Sequence, residues 1–221
     1  MQGWFDYFLG LGFFGFYLPR GGPPARGAFS ASGLDALKQE AAACKACPLY
    51  KTATNLVFGV GNPAAEIVFV GEAPGEDEDL QGEPFVGKAG QLLTRIIRAM
   101  GLAREDVYIA NILKHRPPNN RNPLPEEIRA CTPLLDRQMD VIRPRVIITL
   151  GKFSTEYLTG NPEGITRVRG RWHEWRGIPL MPTFHPSYLL RNPSAKRQVW
   201  DDMKAVLDRL GRPIPTGSAK G

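Results

Sequence analysis

Cysteine is scarce in this sequence. The chain has three cysteines among 221 residues, an odd and sparse set that does not build the disulfide framework of a small secreted domain. Two of them form the motif Cys44-x-x-Cys47, and Cys131 follows much later. Metal or cluster ligation inside a cell, or a redox pair, fits this cysteine usage better.

Targeting signals are also missing from the first 31 residues. This segment is apolar and aromatic, but it lacks the basic start of a secretory signal, and it contains Asp6, Gly10, Gly12 and Gly15. It is therefore too short and too broken to span a membrane. A linker-like run rich in proline, glycine and arginine lies at residues 19–27. We expect residues 1–31 to form a poorly ordered extension, residues 32–211 one domain and residues 212–221 a flexible tail. A membrane-associating or partner-binding role of the extension is the alternative.

The glycine-rich turn of nucleotide-binding folds is absent where it would be expected. An apolar strand ends at Gly71, next to the place where open α/β sheets bind ligands, and a loop with five acidic residues follows. Such a loop cannot hold phosphates as a Gly-x-Gly-x-x-Gly turn does, which argues against a nucleotide cofactor. Backbone N–H groups, an oriented carboxylate and the ring of Phe85, which we expect to be exposed, suit a planar, uncharged ligand such as a nucleobase.

The overall composition is that of a globular protein with a basic surface. Hydrophobic residues make up 43% and charged residues 23%, which is enough to bury a core within one domain. The net charge of +6 and the pI near 9.4 favour a polyanionic partner. An ordinary soluble protein that happens to be basic has the same charge, so charge alone does not decide between the two.

Strand and helix patterns alternate along the chain. Short apolar runs predict four strands, and helical spacing with proline, glycine and acidic start or stop signals predicts five helices. The predicted strands are residues 66–70, 106–113, 145–150 and 178–184; the predicted helices are residues 34–43, 89–100, 125–142, 152–158 and 195–210. Residues 164–177 are expected to form a hairpin or a pair of loops. This alternation predicts an α/β fold, a parallel sheet with helices on both faces.

Three polar side chains follow three of the predicted strands, namely Glu72, Asn111 and His185. Because parallel strands end at one edge of a sheet, these side chains are expected to converge there. An asparagine amide matches the polar edge of a pyrimidine, a phenyl ring of Phe85 can stack on it, and a neutral histidine can donate to its O2 atom. Taken singly, Asn111 can cap a turn, His185 can be a satisfied residue at a strand end, and Phe85 can belong to the core.

The cysteines are joined by His115, which lies sixteen residues before Cys131. Three cysteines and one histidine form a common zinc-binding set, and histidine replaces cysteine in some iron–sulfur centres. Spacing alone does not choose between zinc and iron. In the structural alternative, Cys131 is a buried apolar residue and His115 belongs to a basic surface loop.

Five motifs, in order along residues 44–210, resemble those of the family 4 uracil-DNA glycosylases, the iron–sulfur branch of that superfamily. The motifs are Gly71-Glu72-Ala73-Pro74-Gly75, Pro84-Phe85-Val86-Gly87-Lys88-Ala89-Gly90, Asn111-Ile112-Leu113-Lys114, Arg116-Pro117-Pro118-x-x-Arg121 and His185-Pro186-Ser187. The resemblance implies a three-layer αβα sandwich around a four-stranded parallel sheet. It also implies a DNA repair enzyme that flips uracil out of DNA and hydrolyses its N-glycosidic bond, leaving an abasic site. Because nothing resembles a Schiff-base lysine in the expected pocket, we predict a monofunctional enzyme without strand cleavage.

The resemblance further implies a role for each matching residue. Catalysis falls to Glu72, in the water-positioning motif, to Asn111, which reads the base edge, and to His185, which stabilises the departing uracilate. The implied substrate-binding residues are Glu72, Ala73, Gly75, Glu78, Phe85, Asn111 and His185. Of these, Phe85 stacks on the uracil, and Glu78 crowds its C5 position and so rejects thymine.

The metal set implied by the resemblance is Cys44, Cys47, His115 and Cys131, holding a structural 4Fe–4S cluster, with zinc as the competing metal. The third of these residues is a histidine, where the family has a cysteine. This departure bears on the stability and redox poise of the cluster more than on the glycosylase chemistry.

The implied partners are uracil-containing single- and double-stranded DNA, with no membrane, for a monomer in the nucleoid of a prokaryotic cytoplasm. The implied DNA-binding residues are Arg116, Arg121, Leu189, Leu190 and Arg191, with Lys88, Arg169 and Arg171 as further basic candidates. The last three of the five form a loop suited to fill the gap left by a flipped base. Two alternatives stay open: a relative that traps uracil-DNA in a covalent or tight complex without turnover, and a metal-stapled nucleic-acid-binding module without catalysis.

Overall fold

The structure, a computed structural model, describes residues 31–215. The predicted extension therefore lies outside the described residues except for Ala31, which opens the first helix, and residues 216–221 of the predicted tail lie outside them as well. The described part of that tail is attached to the domain, since Arg212 donates to the carboxylate of Glu66 at 2.7 Å. No helix in the described part of the chain is long and apolar enough to cross a membrane.

A six-stranded sheet forms the centre of residues 31–215. In chain order its strands are β1 (Val60–Gly61), β2 (Ile67–Gly71), β3 (Tyr108–Asn111), β4 (Val146–Leu150), β5 (His173–Trp175) and β6 (Ile178–Thr183). The spatial order is β1-β3-β2-β4-β6-β5; the four central strands are parallel, and β1 and β5 are antiparallel edge strands. The four predicted strands are confirmed as this parallel core. Residues 164–177, expected to form a hairpin or a pair of loops, contain a short helix at Ile165–Val168 and β5, which forms a hairpin with β6. The two-residue β1 was not predicted.

Eight helices surround the sheet in the described chain. They are α1 (Ala31–Ala42), α2 (Glu76–Gln81), α3 (Lys88–Ala99), α4 (Pro125–Ile142), α5 (Lys152–Thr159), α6 (Ile165–Val168), α7 (Pro186–Arg191) and α8 (Lys196–Arg209). Short 3₁₀ turns occur at Pro48–Lys51, Arg104–Asp106, Pro118–Asn120 and Pro193–Ala195. The five predicted helices are confirmed, with ends that shift by up to three residues.

Two segments that were predicted to be loops are helical. The acidic loop after Gly71 contains α2, because the Glu78 carboxylate in its first turn accepts the N–H of Gly75 and Gly82 ends it in the left-handed conformation at φ 72°. The segment after His185 forms α7, because proline occupies its first position and the His185 side chain caps it. Both helices are short, and neither has an apolar period that the sequence would reveal.

The sheet is buried on both faces, which gives the three layers of the predicted αβα sandwich. Along β2, Val68 packs into one core with residues of α1 and α4, whereas Phe69 packs into a second core with residues of α3 and α8. All five residues of β2 and of β4 are buried, as expected for central parallel strands. The α/β class and the layered architecture are therefore confirmed.

Candidate active site

One cavity of about 590 Å³ opens at the carboxyl edge of the parallel strands. Its position follows from the topology, because β2 pairs with β3 on one side and with β4 on the other, and ligands bind outside such a switch of strand order. The cavity brings together all seven predicted substrate-binding residues. They are Glu72, Ala73, Gly75, Glu78, Phe85, Asn111 and His185.

Asn111 ends β3 and carries an amide oxygen that has no partner within residues 31–215. Its side chain is 1% exposed, and its Oδ1 atom is buried without a hydrogen bond. The backbone carbonyl of the same residue accepts a hydrogen bond from Nζ of Lys114 at 2.8 Å, which fixes the strand end. Because buried polar atoms are nearly always paired, an orphaned acceptor on a cavity wall indicates a ligand with a matching N–H group.

Phe85 forms an inner wall of the cavity. It was expected to be exposed, and this expectation was wrong: the residue is 6% exposed and belongs to the core beneath α3. Its φ of +54° is uncommon for a non-glycine residue and turns the ring inward. The ring centroid lies 5.6 Å from that of His185 at an interplanar angle of 36°. The phenyl ring therefore offers a flat face next to the imidazole, as a stacked base requires.

His185 is held as a neutral hydrogen-bond donor. Its Nδ1 atom accepts the backbone N–H of Ser187 at 3.1 Å and lies 2.7 Å from the hydroxyl oxygen of Ser187. The proton of the neutral ring therefore sits on Nε2. Burial, with a smaller contribution from the charge of Arg191, lowers the pKa of His185 to about 4. At neutral pH the imidazole can thus donate to an oxygen that becomes negative, without carrying a charge of its own.

Glu72 follows β2 directly and lines the cavity. Burial raises the pKa of its carboxyl group to about 7. A carboxyl group shifted toward neutrality in a cleft is typical of functional sites, where a charged form can be useful although it destabilises the fold.

Glu72→Gln is expected to lower activity and to raise the melting temperature Tm, more at pH 8 than at pH 5. The unfolded Glu72 ionises near 4.5 and the folded one near 7, so its stability cost grows as pH rises between these values and is full above 7. The kcat/KM of the parent should also fall about tenfold per pH unit below 7, and the variant should lose this dependence. Thermal melts and pH–rate profiles measure both effects. Equal Tm gains at the two pH values would contradict the assignment.

Glu78 is fixed by three backbone N–H groups. Its Oε2 atom accepts from Gly75 at 3.0 Å, and its Oε1 atom accepts from Val86 and Gly87, each at 3.0 Å. The carboxylate therefore ties the loop after β2 to the loop that carries Phe85. Since both oxygens are engaged, the side chain forms a rigid part of the cavity wall.

The rim of the cavity holds some of the predicted DNA-binding residues. Arg121 and Arg191 line it, and both Nη atoms of Arg121 donate to the buried carboxylate of Glu127, at 2.9 and 2.6 Å. Arg116 lies outside the lining residues; its Nε atom donates to Asn120 at 2.7 Å. The rim of the cavity is therefore basic, with Arg121 held in one orientation.

Leu189 was predicted to contact DNA, and the structure corrects this prediction. It is 1% exposed and packs in the core beside α3 and α8, because α7 turns it inward. Leu190 is 43% exposed and Tyr188 is also exposed, on the same helix. Helix α7 therefore exposes Leu190 at the surface, but not Leu189.

Leu189→Ala is expected to affect stability, and Leu190→Ala is expected to affect DNA binding. Leu189→Ala should reduce the free energy of unfolding by about 2–5 kcal/mol, the range for truncated core leucines. Leu190→Ala should leave the free energy of unfolding nearly unchanged and weaken binding to uracil-containing duplex DNA by about tenfold, since it removes part of a leucine's burial. Urea denaturation and duplex-binding titrations compare the two variants. Similar unfolding energies for both would contradict the placement of α7.

Several lining residues were not found by sequence reasoning. Lys152 follows β4, and the rule that ligands lie beyond strand ends would have found it. Gly151 and Phe184 also follow strands directly, and Ser187 belongs to the quoted motif His185-Pro186-Ser187. The lining residues on short turns or helices without a sequence signal are Asn120, Ile165, Thr166 and Tyr188.

The predicted metal residues lie away from this cavity. All three cysteines are free thiols. Burial raises the pKa of Cys131 to about 11, and the nearby Cys47 and Cys44 raise it by smaller amounts. The Sγ atom of Cys131 accepts the backbone N–H of Lys114 at 3.2 Å. His115 is buried, and burial lowers its pKa.

The described chain has no group of side chains arranged to bind a single metal ion. No three His, Cys, Asp or Glu side chains within residues 31–215 stand where one ion could bind them together.

The fold and the cavity are those of an α/β protein with a cleft at the carboxyl edge of its parallel strands and arginines on the rim. The family profile described as "Uracil DNA glycosylase superfamily" matches residues 58–204. The chain belongs to this superfamily.

Three curated relatives are similar over most of their length, and each is named type-4 uracil-DNA glycosylase. The protein of Sulfurisphaera tokodaii is 48% identical over 78% of this chain and 83% of its own. The protein of Archaeoglobus fulgidus is 47% identical over 83% and 96%. The protein of Thermotoga maritima is 52% identical over 73% and 86%.

Proposed function

We propose that this member of the superfamily removes uracil from single- and double-stranded DNA by hydrolysing its N-glycosidic bond, which leaves an abasic site. One observation carries the proposal: the orphaned amide oxygen of Asn111 shares a cavity with the ring of Phe85 and the neutral donor His185. An acceptor, a stacking face and a donor are what a uracil ring needs at its N3–H, its face and its O2 atom.

The base enters the cavity by leaving the DNA stack. Extrusion costs a few kcal/mol, and less where the base is mismatched or the DNA is single-stranded. Basic residues on the rim, including Arg191, attract the phosphates, and Leu190 fills the gap in a duplex. Once inside, uracil lies against Phe85 and its N3–H donates to Oδ1 of Asn111.

Bond cleavage places negative charge on the uracil and positive charge on the sugar. The Nε2–H group of His185 stabilises the former, because a preorganised donor in a buried site is most effective where charge develops. The carboxylate of Glu72 stabilises the latter and orients the water that adds to C1′ of the sugar. The proton that leaves this water passes to the solvent or to the departing base.

A Schiff-base mechanism with strand cleavage is disfavoured. Lys152 lines the cavity, which sequence reasoning did not foresee, but its Nζ atom lies 3.6 Å from the carboxylate of Glu156. A nucleophilic lysine must be a free amine, whereas this Nζ atom is paired with a carboxylate. We therefore propose a monofunctional glycosylase.

Discrimination against thymine is assigned to Glu78. A methyl group entering a soft pocket costs only about 1–3 kcal/mol. The three backbone N–H bonds to the Glu78 carboxylate supply the stiffness that a stricter exclusion needs. This supports a steric wall at the C5 position of the base.

We also propose that Cys44, Cys47, His115 and Cys131 hold a 4Fe–4S cluster. The donor set fits, because the three free thiols are mutually close enough to influence one another's charge and Cys131 receives the backbone N–H bond common around cluster sulfurs. The buried ammonium group of Lys114, adjacent to His115 in the chain, is compatible with metal-bound thiolates nearby. When bound, the cluster would staple α1 and the following loop to the start of α4, a structural role.

Metal analysis of the purified full chain tests this assignment. The parent is expected to carry about four iron ions and a brown colour that zinc does not give. His115→Ala should lose much of the iron and His115→Cys should retain it, while His173→Ala, at the sheet edge, serves as the histidine control. Zinc in place of iron, or iron unaffected by His115→Ala, would reject the proposed ligand set.

Incubation with uracil-containing single-stranded DNA tests the activity itself. Release of free uracil together with an alkali-labile site is expected, for a monomer, since one chain supplies the whole cavity. A band shift that survives denaturant would instead identify a trapping relative. If neither result were obtained, the protein would be a binding module without catalysis. Because the substrate is DNA, we place the enzyme in the nucleoid of a prokaryotic cytoplasm.

A further inference from the structure

We propose that Gly71 is a positioning residue of the base pocket: its missing side chain is what lets the Asn111 amide and the Phe85 ring meet at the end of β2. This inference rests on the proposed uracil excision and adds a residue that does not itself touch the base. Gly71 pairs with Asn111 in the register between β2 and β3, and it directly precedes Glu72.

The space at Gly71 is filled by two functional side chains. A Cβ atom on Gly71 would lie 2.5 Å from Cζ and 2.7 Å from Cε2 of Phe85, and closer still to Oδ1 of Asn111. Real Cβ atoms essentially never approach another heavy atom within 3.0 Å. The ring and the amide therefore occupy the volume that any other amino acid at this position would need.

Glycine is not required here by the backbone. Gly71 is the last residue of a β-strand, and its φ lies outside the left-handed region that disfavours other amino acids. Gly90 presents a different case, since a Cβ atom there would collide with the backbone of Phe85. A methyl group at Gly71 thus acts on side chains and leaves the main chain of the site in place.

The Asn111 contact gives the substitution a chemical consequence. The atom that the methyl group meets is the same Oδ1 that is buried without a partner and that we assign to the N3–H group of uracil. Displacing it, together with the outer edge of the Phe85 ring, removes base reading and stacking in one step. The phosphate contacts at the rim involve other residues, so DNA affinity without uracil should not change.

Gly71→Ala tests the proposal in the full chain. We expect kcat/KM on uracil-containing single-stranded DNA to fall by at least about 10²-fold, the effect of a misplacement near 1 Å at a reacting centre. Inhibition by free uracil should weaken by at least about tenfold, whereas the affinity for DNA that lacks uracil should stay within about twofold. Gly164→Ala is the matched control, because its Cβ meets nothing within 4 Å. Unchanged inhibition by uracil would overturn the proposal.

A double-mutant cycle separates positioning from general damage. In an Asn111→Ala background the same glycine substitution should cost less than in the parent, because part of its effect passes through the amide. An equal loss in both backgrounds would reject the positioning role. If the parent itself releases no uracil, the proposed glycosylase function is wrong. The positioning role of Gly71 can then still be tested by measuring the cycle on uracil binding alone.

Folding provides a second measurement. Phe85→Leu shortens one of the two side chains that the new methyl group meets, so it should lower the melting temperature less in the Gly71→Ala background than in the parent. Melting temperatures can be compared even if the Gly71→Ala variant is too unstable to assay for activity. An equal loss in both backgrounds would place the clash elsewhere and overturn the proposal.

Discussion

Asn111→Ala is expected to lower the rate of uracil excision by about 10²–10³-fold, the range found when one preorganised hydrogen-bonding group is removed. The amide is the group that faces the polar edge of the base, and its Oδ1 atom has no other partner in the described chain. For the same reason the fold should lose little, since the substitution removes an unsatisfied buried acceptor along with some packing. Single-turnover kinetics and thermal melts, side by side, measure the two effects.

Gln138→Ala provides the matched control for this prediction. Gln138 is also a fully buried amide whose oxygen has no partner in the described chain, but it lies in the core and does not line the cavity. Its Nε2 atom donates to the Phe58 carbonyl at 3.0 Å and to the Tyr108 hydroxyl at 3.1 Å. Its truncation should lower Tm clearly and leave the excision rate unchanged at temperatures where the protein is folded. The assignment of Asn111 would be wrong if the two variants showed the same pattern.

His185→Ala is expected to slow excision by a similar 10²–10³-fold, because the departing uracilate loses the donor that stabilises it. DNA affinity should change little, since the charge of the uracilate develops only during bond cleavage. Ser187→Ala is the control: it removes the hydroxyl contact but leaves the backbone N–H that sets the tautomer, so a loss below about tenfold is expected. Excision at the parental rate by His185→Ala would reject its role.

The pH dependence separates His185 from Glu72. With a pKa near 4, His185 stays uncharged around pH 7. His185→Ala should therefore not shift the fall of kcat/KM below pH 7, which we assign to Glu72. Stability behaves differently. As pH falls from about 6.5 toward 4, the unfolded histidine takes up a proton before the folded one does, and the free energy of unfolding declines. His185→Ala should lack this decline, which denaturation at several pH values would show.

Much of the scaffold could be predicted because local patterns encode it. The apolar run that ends at Gly71 and the helix that starts at Pro125 follow rules that act over a few residues, and both were placed nearly to the residue. The strand-end rule then located Glu72, Asn111 and His185 correctly at one cavity. Parallel strands must end at a common edge, so convergence required no knowledge of individual contacts.

The errors concern features that local patterns do not encode. The acidic segment was read as a loop, although a capping carboxylate on Glu78 makes it a short helix. Phe85 was expected to be exposed, because nothing nearby in the sequence reveals a φ of +54° that turns its ring inward. Leu189 was expected at the DNA surface, but the direction of α7 buries it. Packing against distant parts of the chain decided the last two outcomes. The Glu78 cap is a contact over only three residues, but no apolar period of the sequence reveals it.

The sequence by itself determined which elements form, in what order, and which polar residues follow the strands. Only the tertiary structure decided that Oδ1 of Asn111 is left without a partner in the described chain, and that the Asn111 amide and the Phe85 ring fill the space at Gly71. Periodicity and turn chemistry are properties of neighbouring residues. The meeting of particular atoms depends on the register between β2 and β3 and on helices packed from far along the chain, where displacements of about 1 Å decide function.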